Sequence, residues 1–331
     1  MKAIFMTATG DSNVLIEQEI SEPTLKTSTE IKVRLHAAGV NPVDTKIRKG
    51  GLFYPNAELP AVLGCDGAGE IVEIGENVTD FKIGDKVWFC HGGLGREQGN
   101  YAEFTTIDQR WVSLMPQTAT YETAAAAPLV LITAWGALFE RGNLKAGETV
   151  LIHAGAGGVG HVAIQLAKIA GAKVITTVSS TEKADFVKSL GADEIIFYNQ
   201  TNFATEVNRL TGNRGADLVF DTVGSDIFKA SIPCTAHFGR IVTLLDASNL
   251  DLSEARMRNL LIGFELMLTP MLRDLDLERD KHVALLKKCA SYIDEGKLKI
   301  HVSQVLPLTQ AQKAHDLIES GHTIGKIVLS I

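Results

Sequence analysis

The sequence predicts an α/β protein in which a doubly wound parallel sheet is joined to a β-rich, barrel-like domain. Three observations predict it. Short apolar runs recur about every two dozen residues after Pro128, with helical sequence between them. Apolar and polar residues alternate in short segments through the first 125 residues. A glycine-rich turn, Gly155-Ala156-Gly157-Gly158-Val159-Gly160, joins the first apolar run to a helix.

At 331 residues the chain suits two domains of roughly 100–200 residues each. Hydrophobic residues at 45% and charged residues at 21% fit a folded protein and leave too much apolar content for disorder. The formal charge of −7 repels phosphate backbones, and no basic stretch offsets it, so nucleic acid is excluded as a main partner. The longest apolar stretch, residues 124–131, falls short of the roughly 20 residues of a membrane helix, so no membrane partner is expected. The N-terminus enters polar sequence at once and lacks the pattern of a secretory signal, which points to the cytoplasm. Cys65, Cys90, Cys234 and Cys289 have no paired spacing and read as reduced thiols.

In the first part of the chain, residues 31–35 alternate apolar and polar side chains, the period of a half-buried strand. Gly64, Gly67 and Gly69 precede an apolar run at 71–74, and Gly84-Asp85 leads into 86–89, a rhythm of turns and short strands that suits antiparallel pairing. After Pro128 the runs at 150–152, 174–178, 195–197, 218–220 and 241–245 lack polar alternation, as buried parallel strands do. Between the first two, Val159, Val162, Ala163, Leu166, Ala167 and Ala170 fall on one helical face. Beyond residue 275 come a helical stretch at 282–293, an apolar run at 300–306, a helix at 311–319 and a terminal run at 326–329. These either extend the parallel-sheet domain or return to the first one; spacing alone does not decide.

The glycine turn carries the chemistry. In G-x-G-x-x-G between strand and helix, the first glycine permits a tight turn, the second lets backbone approach a pyrophosphate, and the last lets helix pack on strand. The helix N-terminus then faces the anion with free N–H groups. Gly155, Gly157, Gly158, Val159 and Gly160 are therefore candidate cofactor-binding residues of a dinucleotide site. NAD-using enzymes usually carry a carboxylate at the end of the second strand for the ribose hydroxyls. Here that end reads Val178-Ser179-Ser180, with Lys183 a turn later, so Ser179, Ser180 and Lys183 favour the 2′-phosphate of NADPH. Glu182 is a competing carboxylate, and Ser180 with Lys183 can instead be a helix cap and a surface charge.

With these residues in hand, the chain resembles the medium-chain dehydrogenase/reductase superfamily, in its zinc-free quinone oxidoreductase and ζ-crystallin branch. The resemblance rests on Ala37-Ala38-Gly39-Val40-Asn41-Pro42-Val43-Asp44, on residues 63–72, on Gly84-Asp85-Lys86-Val87 and on the 155–160 turn. It continues through Gly191-Ala192-Asp193, Asp221-Thr222-Val223-Gly224 and Gly325-Lys326-Ile327-Val328-Leu329, nearly the whole length. It implies a GroES-like domain formed by residues 1–126 and 276–331, a Rossmann NADP-binding domain at 127–275, an active site in the cleft and a homodimer. It places Asn41 and Thr133 near the nicotinamide, Tyr198 on the 2′-phosphate, and Val223, Leu244 and Lys326 among the cofactor contacts. Gly321-His322 stands where the branch offers an arginine to the phosphate.

The metal-using branch carries a Cys-His pair where Asn41-Pro42 stands, a His-Glu pair where Cys65-Asp66 stands, and a cysteine near Leu129. A catalytic zinc site normally takes three protein ligands. With only Cys65 and Asp66 as candidates, no metal is expected, and alcohol oxidation loses the Lewis acid that deprotonates its substrate. Reduction of a quinone or conjugated carbonyl asks mainly for orientation and hydrogen bonding. The resemblance also implies that Tyr54 lines the substrate side, which makes Asn41 and Tyr54 the catalytic candidates: Tyr54 donates a hydrogen bond to a carbonyl or serves as an aromatic wall, and Asn41 alternatively caps a turn before Pro42. Asp44 orders the same loop. His153 is expected to pack and His161 to face solvent; neither has the partners of a hydrolytic triad. The 92–99 loop and the 250–280 region are candidates for setting substrate choice. The expected function is NADPH-dependent reduction of a small quinone or conjugated carbonyl. An enoyl or 2-alkenal double-bond reductase, and a low-turnover NADPH-binding sensor or structural protein, are the alternatives.

Overall fold

The computed structural model describes residues 1–54, 56–246 and 250–331, so Pro55, beside Tyr54, lies outside the described residues. The chain forms two compact units. One comprises Met1–Leu129, Leu268–Gly296 and Ile300–Ile331; the other comprises Val130–Met267 and Lys297–Lys299.

The strands of the first 129 residues are β1 (Lys2–Met6), β2 (Leu15–Glu19), β3 (Glu30–Val40), β4 (Ala61–Val62), β5 (Asp66–Ile74), β6 (Lys86–Cys90), β7 (Phe104–Asp108) and β8 (Ser113–Leu114). Next come β9 (Thr149–Ile152), β10 (Lys173–Val178), β11 (Glu194–Phe197), β12 (Ala216–Asp221), β13 (Thr235–Thr243) and β14 (Leu261–Phe264). The chain closes on β15 (Val302–Pro307) and β16 (Lys326–Ser330).

In the first unit the main sheet runs β15-β16-β3-β5-β6-β8, with β7 also on β3, and a smaller sheet runs β2-β1-β4. Alternation along β3 sends Ile31, Val33 and Leu35 into a core with Ile71, Val87, Phe89 and Ile107. Pairing is antiparallel throughout except for β15 with β16. That exception has a simple cause. The helix Ala311–Glu319 lies between those two strands, and a helical crossover delivers a parallel neighbour where a tight turn would give an antiparallel one. β16 then pairs with β3, so the C-terminal elements belong with the N-terminal sheet.

The second unit is the doubly wound sheet. Its six strands are all parallel in the order β11-β10-β9-β12-β13-β14, with the reversal at β9, the topology of dinucleotide-binding folds. Leu151, Ile175, Val219 and Ile241 are buried in its core, as apolar runs without alternation require. β14 is an edge strand not foreseen from the sequence: Gly263 interrupts it, and Leu261 and Phe264 are 68% and 57% exposed, so it carries no buried-strand signature. The helix Pro128–Trp135 continues into a π-helical turn, Gly136–Arg141.

Candidate functional site

At the end of β9 the chain turns through Ala154, which holds φ at +50°, a conformation unusual for a residue with a side chain. The glycines that follow are not equivalent. A Cβ on Gly155 would overlap the Thr176 hydroxyl, and a Cβ on Gly160 would overlap the Ala154 carbonyl, so packing within the protein requires both. Gly157 has an ordinary φ of −76°, and a Cβ there would meet only the Ala154 carbonyl, at 3.2 Å. Protein packing gives little reason for glycine at 157; a ligand pressed against the backbone gives one. Gly157 caps the helix Gly158–Ile169, whose first-turn N–H groups, on Gly158, Val159 and Gly160, lie where intrahelical acceptors end.

Ser179 and Ser180 follow β10. Ser180 is the N-cap of the helix Thr181–Ser189, its Oγ accepting the Lys183 N–H at 3.3 Å, so the capping alternative is realised. Capping uses the oxygen as an acceptor and leaves the O–H free to donate. The Ser179 carbonyl accepts from Asn199 Nδ2 at 3.1 Å. Among the described residues Lys183 makes no ion pair, and Glu182 is exposed on the helix. Val178 pairs with Phe197, which brings the half-exposed Tyr198 beside Ser179.

Further along the same carboxyl edge, Asp221 organises the turns after β12 and β13. One of its oxygens accepts the Val223 and Gly224 N–H groups at 2.9 Å, and the other accepts the Thr243 hydroxyl at 2.9 Å. Val223 stays 44% exposed, and Leu244 hydrogen-bonds the Asp221 carbonyl. Thr133 is buried on the helix Pro128–Trp135. His153 bonds Thr177 and Ser231 at 3.2 and 3.0 Å, and burial holds its pKa down at about 4, so it is a neutral packing residue. His161 is also fully buried, its Nδ1 3.1 Å from the Gly157 carbonyl, which corrects the solvent-facing role expected for it. Its helix face packs inside the unit because the preceding turn returns the helix directly onto the sheet.

In the first unit the candidates form a different object. The register Ile327 opposite Val40 and Gly39 opposite Asp66 gathers Lys326, Asn41 and Asp66 at the end of β3, all fully or almost fully buried. The Lys326 ammonium donates to the Val40 carbonyl at 3.0 Å and to Asn41 Oδ1, and stands 3.9 Å from Asp66. Asn41 Nδ2 donates to Asp66 Oδ2 at 2.9 Å, and the other Asp66 oxygen accepts the Leu129 N–H. An ammonium only donates and a carboxylate only accepts, so the amide of Asn41 has one orientation. Asn41 also caps the helix Pro42–Gly50, its N–H donating to Asp44. The Lys326 ammonium, which the resemblance places among the cofactor contacts, is thus held by Val40, Asn41 and Asp66.

Asp44 accepts the Tyr101 phenol at 3.0 Å as well; its second oxygen has no partner among the described residues, and burial pushes its pKa up to about 7. Tyr101 in turn lies 3.2 Å from His315 Nε2. Neither was foreseen, because they lie 214 residues apart and belong to no local pattern. The Tyr54 hydroxyl donates to the Met271 carbonyl at 2.8 Å, with the Arg96 guanidinium over its ring and Arg96 paired to Asp274. A substrate carbonyl would have to displace that backbone acceptor.

Residues 27–117 match the alcohol dehydrogenase GroES-like domain family, and residues 190–329 match the zinc-binding dehydrogenase family. The chain is 35% identical to a quinone oxidoreductase of Pseudomonas aeruginosa over 99% of both chains. The chain belongs to the quinone oxidoreductase family of medium-chain dehydrogenases/reductases. It is also 32% identical to a 2-methylene-furan-3-one reductase of Solanum lycopersicum, over 99% of this chain and 79% of that one. The solved structure of Escherichia coli quinone oxidoreductase complexed with NADPH superposes with a TM-score of 0.89 at 30% identity, covering all of both chains.

Zinc does not fit this member of the family. Among the described residues no group of three His, Cys, Asp or Glu side chains is gathered to hold a metal. Both Asp66 oxygens already accept hydrogen bonds, and the ammonium beside them would repel a second cation. A dinucleotide does fit, on the open side of Gly157.

Proposed function

We propose that this chain reduces quinones and related conjugated carbonyls with NADPH, without a metal. The observation that carries the reading is the pairing of an open phosphate turn at Gly157 with a second-strand end that lacks a carboxylate and offers Ser179, Ser180 and Lys183. When bound, NADPH supplies the hydride. The backbone N–H groups of Gly158, Val159 and Gly160 hold the diphosphate, the hydroxyls of Ser179 and Ser180 with the ammonium of Lys183 and the phenol of Tyr198 take the 2′-phosphate, and Val223, Leu244 and Thr133 border the nicotinamide half. In the first unit, Asn41 orders the start of the helix Pro42–Gly50 through its amide and cap. The NADPH-complexed bacterial relative supports the cofactor choice.

A hydrogen bond to a charged group contributes roughly 1.5–3 kcal/mol, or about 10- to 150-fold in affinity. Lys183→Ala is expected to weaken NADPH by that factor and leave NADH nearly unchanged. Ser179→Asp adds repulsion against the phosphate and a ribose acceptor, which reverses the preference toward NADH. Titrating both cofactors against wild type and the two variants checks this; an unchanged ratio in both would refute the assignment.

Reduction of a conjugated C=C, as in a 2-alkenal or enoyl substrate, is the second reading, favoured by the similarity to the tomato reductase. We further propose a cytoplasmic homodimer. The edge of β14 supports the dimer: Leu261, Phe264 and Leu266 are more than half exposed there beside unpaired backbone, and bare apolar edges are usually covered. Leu261→Asp is expected to convert the dimer to monomer in sedimentation analysis; a wild-type monomer would contradict it. Four free cysteines suit a reducing compartment, and among the described residues no helix is long and apolar enough to cross a membrane.

A further inference from the structure

Adding a hydride to a carbonyl conjugate leaves the substrate one proton short, and none of the residues discussed above supplies it. Glu265 is the candidate its position in the sheet points to. It follows β14 directly, and because Thr243 pairs with Phe264, it sits one step beyond the sheet at the level of Leu244. Counting strands from β10, where the adenosine phosphate is read, to β14 crosses four neighbours, about 19 Å at the usual strand spacing. A dinucleotide that begins at Ser179 and lays its diphosphate at β9 directs its reactive half toward β12 to β14.

The surroundings of the carboxylate are made for it. A Cβ on Gly136 would lie 2.5 Å from Glu265 Oε2, so the glycine one turn after Thr133 is what gives the carboxylate room. Gly136 also opens the π-helical turn, a deviation that often accompanies function. The Glu265 side chain is 9% exposed, and its one ion pair among the described residues is to Arg141, whose Nε lies 3.7 Å away on the 52% exposed rim. The other charge facing it is Glu140. A carboxyl that is nearly enclosed, reachable by solvent and weakly paired is poised to exchange protons.

We propose that Glu265 is the proton donor to the substrate anion that hydride addition creates. This rests on the NADPH-dependent reduction proposed above. The Glu265 O–H bond breaks, a new O–H bond forms on the substrate oxygen, the electron pair stays on the carboxylate, and water returns the proton. Burial, with Arg141 opposing it and Glu140 adding to it, pushes the pKa up to about 7, where a general acid works best near neutrality. The acid form is the active one, so kcat should be high below that pH and fall above it. Removing Arg141 removes the opposing charge and moves the fall to higher pH.

The test pairs kinetics with a readout independent of turnover. In the protein without cofactor, subtracting the infrared spectrum of Glu265→Gln from that of wild type cancels the Asp44 carboxyl and should leave a protonated-carboxyl band that titrates with a midpoint of about 7 and shifts to higher pH in an Arg141→Met background. In turnover, Glu265→Gln should lower kcat about 100-fold or more with KM for NADPH nearly unchanged and the alkaline fall abolished, while Glu265→Asp restores part of both. A glutamine variant with wild-type kcat and pH profile, or a difference spectrum with no titrating carboxyl band, overturns the proposal. Absence of NADPH oxidation by wild type, with the infrared band intact, overturns the reduction reading and the proposal with it, a result distinct from failure of the variant alone.

Discussion

Gly157→Val is expected to keep the fold and lose the cofactor. Its backbone, at φ −76° and ψ 178°, is one a valine adopts freely, and its Cβ would touch a single carbonyl oxygen at 3.2 Å. The change gives up a favourable helix-capping residue, about 1 kcal/mol. The same side chain fills the face on which a diphosphate approaches the backbone. Loss of two charged hydrogen bonds amounts to roughly 3–6 kcal/mol, or about 10²- to 10⁴-fold in NADPH affinity. Gly160→Val gives the contrast, because its Cβ would overlap the Ala154 carbonyl, a backbone atom with nowhere to go. That variant should be poorly folded. Thermal melts beside NADPH titrations separate the two; a Gly157 variant that binds NADPH normally would remove the ligand-based reason for glycine there.

Lys326→Met is expected to destabilise the first unit strongly. Burial works against the charge on both Lys326 and Asp66, pulling one pKa down and the other up, and each is sustained by the other at 3.9 Å. Removing one partner of a buried pair leaves an uncompensated charge and costs about 3–5 kcal/mol, on the order of 10 °C in Tm. Asn41 also loses the ammonium that fixes its amide. The double variant Asp66→Asn with Lys326→Met removes both charges and should recover much of the loss, a coupling read from a thermal double-mutant cycle. Additive effects of the two changes would show that the pair is not a unit. If Lys326 instead served mainly a bound cofactor, the single variant would lose NADPH affinity with little change in Tm.

Local pattern made much of this legible. The parallel strands β9 to β13 declared themselves as apolar runs without alternation, and the 155–160 turn declared itself because glycine spacing there is a direct record of backbone geometry. β14 escaped because an edge strand buries little, and its Gly263 breaks the pattern a reader counts. His161 was misplaced because helical position alone does not say which side of a turn meets the sheet. The Lys326–Asn41–Asp66 knot and the Asp44–Tyr101–His315 chain were illegible for a different reason. They are made by register between strands and by contacts across as many as 285 residues, and no window of sequence contains them. Glu265 likewise became visible only once β14 put it beside Gly136.

NADPH oxidation, followed by loss of reduced-nicotinamide absorbance, tests the central claim most directly when quinones, 2-alkenals and enoyl thioesters are offered in turn to metal-stripped protein. The account predicts rapid oxidation with quinones or conjugated carbonyls, undiminished by chelator and slower with NADH in place of NADPH. Tight NADPH binding with no turnover on any of these acceptors, or activity that returns only with added zinc, would contradict it.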